Sequence, residues 1–142
     1  MKIWRKSWLF CLGGSAYFVL ELLWRGRSHG SMFLLGGTCF LLIGSLGRKL
    51  ARIPLALRLI LSSGMVTALE LLTGLLVNRD YSVWDYRGLR YQYLGQICLN
   101  YSLLWIPVSL LAMGLYNVAV RAANEKTAID KDRRWRYTEE NT

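Results

Sequence analysis

The chain has 142 residues, which is enough for one domain. Of these residues, 54% are hydrophobic and only 19% are charged. This composition excludes a disordered chain and argues against a soluble enzyme. Its 18 lysine and arginine residues against 9 acidic residues give a net charge of +9, and on an apolar chain this excess is typical of basic residues at lipid headgroups. Because the basic residues are spread between apolar blocks and not gathered into one patch, we expect no nucleic-acid partner.

Four apolar blocks predict four membrane-spanning helices. They cover about residues 8–24, 31–46, 59–77 and 97–120, and a helix needs roughly 17–25 mostly apolar residues to cross a bilayer. The second block is short and rich in glycine, so we expect it to be less tilted than its neighbours or partly re-entrant. Backbone groups in lipid must be hydrogen-bonded within the segment, which favours helices. The predicted fold class is therefore an all-α, polytopic membrane domain over residues 1–120.

Lysine and arginine are distributed unevenly between the segments that flank these blocks. The N-terminal segment, the second linker with its margin and the C-terminal segment hold 13 of them, whereas the first and third linkers hold 5. Because cytoplasmic segments carry the excess of basic residues, we expect both termini in the cytoplasm and the protein in the cytoplasmic membrane. Residues 121–142 then form a cytoplasmic tail, nearly neutral and partly disordered, and residues 78–96 form an external linker, here called the cap loop.

The first block resembles a secretory signal in its basic start, but we expect it to be a retained helix. It contains Glu21, and no small-residue cleavage pattern follows it. The string Leu20-Glu21-Leu22-Leu23 within it resembles Leu69-Glu70-Leu71-Leu72 in the third block. This is consistent with a parallel two-plus-two duplication, although chance explains so common a string equally well.

Glu21 and Glu70 are the first candidates for a binding site. An acidic residue within a span costs about 2.5–3.5 kcal/mol on insertion scales and is usually retained for a function. Arg25 follows Glu21 by one helical turn, so a local ion pair at the interface is an alternative explanation of that glutamate. Glu70 lies deeper and has no basic residue one turn away, which favours a functional or inter-helix role.

The cap loop combines aromatic, acidic, basic and glycine residues in one external segment. Aromatic residues at an interface ordinarily anchor a span, but Asp85 between Trp84 and Tyr86 does not fit that pattern. We expect Asp85 to pair with a basic residue, either Arg25 or Arg87. The cap loop is then predicted to close the outer mouth of a site formed by the two glutamates.

The remaining polar candidates lie near the same side of the membrane. His29 is the only histidine, and an ordinary interfacial histidine is its simpler interpretation; Gln96 and Asn100 lie at the start of the fourth block. The candidate substrate-binding residues are Glu21, Arg25, His29, Glu70, Trp84, Asp85, Tyr86, Gln96 and Asn100.

No catalytic group, metal site or cofactor is predicted. The three cysteines, Cys11, Cys39 and Cys98, are dispersed in or beside apolar blocks, which is typical of reduced structural thiols. The sequence contains no phosphate loop, no Rossmann glycine pattern and no zinc-binding His-Glu-x-x-His pattern. We expect any nucleotide-driven work to need another subunit.

Several of these strings resemble a known family, the bacterial membrane proteins known as CmpB-like ABC-transporter permeases. The resemblance covers about residues 17–105, and the last string is its most specific part. The strings are Tyr17-Phe18-Val19-Leu20-Glu21 with Trp24-Arg25-Gly26 and Ser28-His29, Gly36-Gly37, Glu70-Leu71-Leu72-Thr73-Gly74, and Trp84-Asp85-Tyr86 followed by Gly95-Gln96-Ile97-Cys98. The resemblance implies an integral membrane protein with several helices, a permease role and a separate ATPase subunit.

The chain departs from an ABC permease in two respects. Its internal loop, about residues 47–53, is short for a helix that docks on an ATPase, and four spans are few for a translocation path. We therefore expect a homo-oligomer surrounded by lipid.

The sequence is consistent with three alternative functions. The favoured one is a small transport component with the glutamates under the cap loop as its site. The second is an outer-leaflet membrane enzyme acting on lipid, which would use Glu21, Arg25, His29 and Asp85 for acid–base work and headgroup binding. The third is a non-catalytic assembly protein in which the glutamates only hold helices together.

Overall fold

The computed structural model describes residues 3–141. Four helices account for most of them: α1 (Ile3–Arg25), α2 (Gly30–Lys49), α3 (Leu55–Val77) and α4 (Leu99–Glu140). All four are long and apolar enough to cross a membrane. The predicted all-α membrane fold with four spans is confirmed, and the protein is a multi-pass membrane protein.

The first three helices begin or end a few residues outside their apolar blocks. α1 starts at Ile3, so Arg5 and Lys6 lie within its first turns. Charged residues limit the part of a helix that sits in hydrocarbon, but they do not end the helix itself. α2 is one continuous helix of 20 residues, without the break that a re-entrant segment would need.

The fourth helix differs most from the prediction. α4 has 42 residues and continues to Glu140, so the expectation of a partly disordered tail is wrong. Its last part contains good helix formers and an ion pair one turn apart, between Arg136 and Asp132. At about 1.5 Å per residue the helix is roughly 63 Å long, about twice the 30 Å of the hydrocarbon core. Its second half therefore projects beyond the bilayer.

α2 is the central helix of the bundle. In the most apolar 18-residue stretch of α2, half of the residues are buried, compared with 22% in α1 and 28% each in α3 and α4. α1 packs mainly on α2, and α2 also contacts α3 and α4, which pack on each other. The other three helices consequently expose large apolar side chains, such as Leu23 and Leu111, where lipid is the solvent.

Two hydrophobic clusters fill the interior. The larger one joins α2, α3 and α4 to the cap loop, and the smaller one joins α1, α2 and the middle of α4. The larger cluster consists of Met32, Leu35, Cys39, Ile43, Val66, Trp84, Tyr86, Cys98 and Met113; the smaller consists of Leu9, Phe40, Tyr116, Ala119 and Val120.

α1 and α2 approach each other closely at two Gly-Gly pairs. Gly14 lies against the main-chain carbonyl of Phe33, and Gly37 lies against that of Phe10 in the same way. Without a side chain at either glycine, the two backbones come within packing distance. Both pairs stand in one sequence pattern, Phe-x-x-Gly-Gly-x-x-(Tyr or Phe), read from Phe10 and from Phe33.

The contacts between the two copies of this pattern are reciprocal. Gly13 in α1 lies against the ring of Phe40 in α2, and Gly36 in α2 lies against Tyr17 in α1. Because the two helices run in opposite directions, an approximate two-fold axis perpendicular to them relates the copies. This inverted repeat was not among the features predicted from the sequence. The predicted parallel duplication of α1 and α3 is a separate matter and stays a prediction.

The segment between α3 and α4 folds over one end of the bundle. It contains two short strands, β1 (Gln92–Tyr93) and β2 (Ile97–Cys98), which pair antiparallel with Gln92 opposite Cys98. Three of its residues other than glycine have positive φ, namely Tyr81, Tyr91 and Leu94. Such conformations persist only where surrounding contacts hold them, which indicates a folded cap.

Candidate functional site

A chain of hydrogen bonds and one ion pair joins the two predicted glutamates through the cap loop. Glu21 Oε2 lies 3.5 Å from Arg25 Nε on the next turn of α1. Arg25 Nη2 donates to the hydroxyl of Tyr86 over 3.0 Å, and that hydroxyl donates to Glu70 Oε1 over 3.1 Å. The chain of contacts therefore connects α1, the cap loop and α3.

Two aromatic side chains supply the remaining donors. Tyr17 OH donates to Glu21 Oε1 over 3.2 Å, and Trp105 Nε1 donates to Glu70 Oε2 over 3.4 Å. The Tyr17 and Trp105 rings themselves pack with centroids 5.7 Å apart. Each of the four carboxylate oxygens thus has a partner, which offsets the cost of placing acids at membrane depth. We call these six residues the carboxylate cluster: Tyr17, Glu21, Arg25, Glu70, Tyr86 and Trp105.

The carboxylate cluster holds two acids and one guanidinium in a largely buried position. Glu70 is 4% exposed, and the side chains of Glu21 and Arg25 are 12% and 20% exposed. An ionised carboxylate has about four acceptor sites, and each glutamate here uses two. Chemically, the cluster has the capacity to accept further hydrogen bonds or a positive charge.

Contacts of both its ring and its main chain fix Tyr86 in place. Its ring stacks on Tyr101 of α4 with centroids 4.9 Å apart, and its amide donates to the carbonyl of Gly95 over 3.0 Å. Burial, and next the negative charge of Glu70, raise the pKa of Tyr86 above its ordinary value. The hydroxyl therefore keeps its proton and acts as a donor to the carboxylate.

A buried amide pair holds the cap loop on the end of α3. Asn78, the residue after α3, accepts through Oδ1 from the amides of Val83 (2.8 Å) and Trp84 (3.2 Å). Its Nδ2 donates to the carbonyl of Trp84 over 2.6 Å and to Gln96 Oε1 over 2.9 Å. Gln96 Nε2 donates back to the Asn78 carbonyl over 3.0 Å, and the Trp84 indole donates to the Gln96 carbonyl over 2.8 Å. Both ends of the cap loop are thereby tied to each other.

Gly74 makes room for this amide pair. It lies one turn before Asn78, and a side chain there would collide with the amide of Gln96. The Glu70-Leu71-Leu72-Thr73-Gly74 string therefore contains both an acid of the carboxylate cluster, Glu70, and the glycine against which the cap loop packs, Gly74. This gives the string a structural reason that the sequence alone does not supply.

Asp85 pairs with Arg87, one of the two partners predicted for it. Its Oδ1 accepts from the amide and the Nε of Arg87, each over 2.9 Å, and its Oδ2 lies 2.7 Å from Nη2. Hydrogen bonds from the Arg87 side chain lower the pKa of Asp85 to about 2. The Arg87 guanidinium also lies 4.0 Å above the ring of Tyr81. This pair is exposed on the cap surface, whereas Arg25 belongs to the carboxylate cluster.

His29 and Asn100 lie apart from the carboxylate cluster. His29 is the N-cap of α2, where its ring accepts from the amide of Ser31 over 3.2 Å. Asn100 is exposed in the first turn of α4. The nine predicted residues therefore separate into three groups. Glu21, Arg25, Glu70 and Tyr86 come together in the cluster, Trp84 and Gln96 build the cap loop, and His29, Asp85 and Asn100 have other surroundings.

Three residues of the site were not predicted: Tyr17, Asn78 and Trp105. Tyr17 precedes Glu21 by four residues, a spacing that places both on one helix face and could have identified it. Asn78 directly follows an apolar run, where asparagine is a common helix terminator. For Trp105 the sequence offers no signal, because it reaches Glu70 from another helix.

An apolar groove adjoins the carboxylate cluster. It encloses about 260 Å³ between α1, α2 and α4, and the rings of Tyr17 and Trp105 line it. The other lining residues are almost all apolar: Gly13, Ala16, Leu20, Leu35, Gly36, Cys39, Phe40, Ile43, Val66, Val108, Leu111, Ala112 and Leu115.

Metal ligands do not gather in the part of the chain that the structure describes. Among residues 3–141 there is no group of three histidine, cysteine, aspartate or glutamate side chains that could hold a metal ion. Cys11, Cys39 and Cys98 are free thiols.

Residues 8–134 match the model of a protein family described as "Putative ABC-transporter type IV". The chain belongs to this family. The match includes all six residues of the carboxylate cluster and the whole cap loop. No curated protein and no solved structure matches the chain. Membership of this family, together with four spanning helices, supports a role as a membrane transport component, and the family suggests association with an ATPase subunit.

Proposed function

We propose that the protein is the membrane-embedded part of a transporter and that the carboxylate cluster under the cap loop is its substrate site. The observation that carries this proposal is the chain of contacts from Glu21 through Arg25 and Tyr86 to Glu70. Two acids at membrane depth, joined to an external loop, are typical of an ion or substrate pathway and expensive for a purely apolar bundle.

The same contacts suggest how binding is coupled to opening of the cap loop. Tyr86 is the cap residue that donates to Glu70. A substrate group that donates a hydrogen bond to Glu70 competes with the Tyr86 hydroxyl and releases that contact. Occupation of the site then shifts the equilibrium of the cap loop towards an open state, because the substrate interacts differently with the two states.

The distribution of basic residues supports an orientation with the cap loop outside and both termini in the cytoplasm of the cell. The loop between α2 and α3 comprises only residues 50–54, so the projecting half of α4 offers an ATPase subunit the larger surface on that side. Four helices enclose little space for a translocation path. In this proposal the protein forms a homo-oligomer in the cytoplasmic membrane, and helices from two or more copies enclose the path.

The decisive experiment is transport by Glu70→Gln, which keeps the shape of the side chain and removes its charge. The substitution is expected to abolish substrate binding or transport while the protein still folds. Glu125→Gln is the matched control, since Glu125 is exposed on the projecting half of α4. Full transport by a well-folded Glu70→Gln protein would refute the proposed site.

An assembly role is the second candidate, because every carboxylate oxygen of the cluster already has a partner within the chain. If the cluster only holds helices together, Glu70→Gln lowers thermal stability first and activity only in proportion. A variant that keeps its melting temperature but loses transport would exclude this role.

A lipid-modifying enzyme has less support from the geometry. Of the four residues that such an enzyme would use, only Glu21 and Arg25 lie together. His29 bonds to Ser31 and Asp85 bonds to Arg87. An unchanged lipid composition in cells that lack the protein would count further against this activity.

A further inference from the structure

A second cavity, here called the basic cleft, lies at the end of the bundle opposite the cap loop. It encloses about 600 Å³ where the first turn of α1 meets the projecting half of α4. Arg5 of α1 joins the two helices there, since its Nη1 donates to Asn124 Oδ1 and its Nη2 donates to Thr127 Oγ1 over 2.8 Å. The residues that line the cleft are Trp4, Lys126, Thr127, Asp130, Lys131 and Arg134.

The basic cleft carries positive charge that the chain itself does not neutralise. Three of its lining residues are cations and one, Asp130, is an acid. None of these four side chains forms an ion pair within residues 3–141. The hydrogen bonds of the Arg5 guanidinium go to neutral side chains. Counted with Arg5, the cleft has four cations and one acid, a net charge of +3, and such a concave surface attracts anions.

The cleft lies at the depth of the lipid head groups. Trp4 precedes Trp8, the start of the first apolar block, by four residues, or about 6 Å along the helix. Lys126 follows Val120, the end of the fourth block, by six residues, or about 9 Å. The head-group layer is about 5–8 Å thick on each side of the hydrocarbon core, and a lysine side chain extends far enough to reach back into it. A phosphate group of a lipid is therefore within reach of the cleft.

An anionic phospholipid fits this chemistry better than the other ligands available at that depth. Its phosphate offers acceptor oxygens and a negative charge, which lysine and arginine bind through charge-assisted hydrogen bonds. A zwitterionic head group adds an ammonium, which the net charge of the cleft repels. An acidic segment of another protein also matches the charge. However, Trp4 in the cleft wall and the neighbouring Ile3 are 53% and 83% exposed, as expected of apolar side chains that contact lipid.

We propose that the basic cleft binds the phosphate group of an anionic phospholipid. Lys126, Lys131 and Arg134 supply the positive charge, and Trp4 contacts the lipid at the boundary between its head group and its acyl chains. The bound lipid links the start of α1 to the base of the projecting half of α4. This site is separate from the carboxylate cluster, which lies beneath the cap loop, so the inference does not depend on the proposed function.

Photocrosslinking of the full chain in nanodiscs tests the site. The discs consist of phosphatidylcholine with a small fraction of a phosphatidylglycerol that carries a diazirine next to its head group. The comparison probe is phosphatidylcholine with the same diazirine. Mass spectrometry locates the labelled residues, and titration of the probe fraction gives an apparent affinity. The phosphatidylglycerol probe is expected to label Trp4 and residues 126–134 about tenfold more than the comparison probe does, since the cleft favours an anion.

Two double variants that lose the same charge distinguish the cleft from the basic surface as a whole. Lys126→Gln with Lys131→Gln is expected to weaken phosphatidylglycerol binding about thirtyfold, because each basic residue at an anionic lipid surface contributes about fivefold. Arg121→Gln with Arg133→Gln is the matched control, since both residues lie on α4 and neither lines the cleft. All four side chains are exposed, so both variants are expected to fold, and the control is expected to bind the lipid as the unchanged protein does.

Three outcomes would overturn the lipid site. Equal labelling by the two lipid probes, or an equal loss of binding in the two double variants, would show that the cleft has no preference of its own. Displacement of the lipid by millimolar inorganic phosphate, compared with chloride at the same ionic strength, would assign the cleft to a free phosphate. Unchanged lipid labelling in the cleft variant, together with loss of a co-purifying protein, would assign it to protein docking.

Discussion

The hydroxyl of Tyr86 donates to Glu70 Oε1 across 3.1 Å and accepts from Arg25 across 3.0 Å. One phenol oxygen from the cap loop thus stands between a guanidinium at the end of α1 and a carboxylate within α3. This oxygen links the cap loop to both charged groups.

Removal of that oxygen is the most direct test of the coupling. Tyr86→Phe is expected to lower the free energy of unfolding by about 1–3 kcal/mol, because a buried carboxylate and a guanidinium each lose a partner. Thermal unfolding in detergent measures the change. Tyr91→Phe is the control, since Tyr91 is 68% exposed. Equal melting temperatures for the two variants would show that the Tyr86 bridge contributes nothing.

Loss of the Asn78–Gln96 amide pair is expected to destabilise the cap loop strongly and locally. Asn78 is fully buried and makes four side-chain hydrogen bonds, so Asn78→Ala leaves several main-chain groups unpaired at about 1–3 kcal/mol each. Limited proteolysis is expected to cut the cap loop much faster in this variant. Asn100→Ala, at an exposed site in α4, controls for the change of residue type. Protection of the cap loop in Asn78→Ala would contradict its assigned role.

The exposed Asp85–Arg87 ion pair is expected to depend on pH only under acidic conditions. The pKa of Asp85 is lowered from 3.8 to about 2, so the contribution of the pair is complete above pH 3.8 and is lost as the pH falls towards 2. The Nε–H resonance of Arg87 in an NMR titration is expected to shift with a midpoint near that lower value. Asp85→Asn removes the titration and serves as control. A midpoint at or above 3.8 would show that the pair does not form in solution.

The reciprocal glycine contacts predict a contrast between two substitutions of the same type. Gly37→Leu is expected to destabilise the protein by about 3 kcal/mol or more, because the side chain collides with the carbonyl of Phe10. Gly64→Leu should change the melting temperature little, since a Cβ at Gly64 meets no atom within 4 Å. Similar melting temperatures for both variants would contradict the close packing of α1 on α2.

The number and type of the helices could be predicted because the length of an apolar block depends directly on bilayer thickness. The end of α4 could not be predicted, because hydropathy indicates where a chain leaves the hydrocarbon core of the membrane and says little about where a helix ends. Residues 121–140 are charged but still favour a helix, as the Asp132–Arg136 pair illustrates. Segments outside the membrane therefore need helix propensity, not hydropathy, as their criterion.

The candidate site could be predicted where the signal is local. Glu21, Arg25 and Glu70 are conspicuous because ionisable residues are costly in a span, and Tyr86 lies in an unusual aromatic-acidic string. Trp105 could not be predicted, because its contact with Glu70 depends on how α4 packs against α3. The assignment of Asp85 to Arg87 and not Arg25 likewise depends on the turn that the cap loop adopts.

The length of α4 has a mechanical consequence. α4 is a continuous helix of 42 residues that contains Pro107, and about 30 Å of it extends beyond the bilayer. Proline removes one main-chain hydrogen bond and bends a helix at its position. A tilt of about ten degrees inside the membrane displaces the far tip by about 5 Å on this geometry. α4 also carries Trp105, which contacts Glu70. Because Pro107 lies between Trp105 and the projecting half of α4, we expect a rearrangement at the glutamates to change the direction of that half, which is accessible to a partner protein.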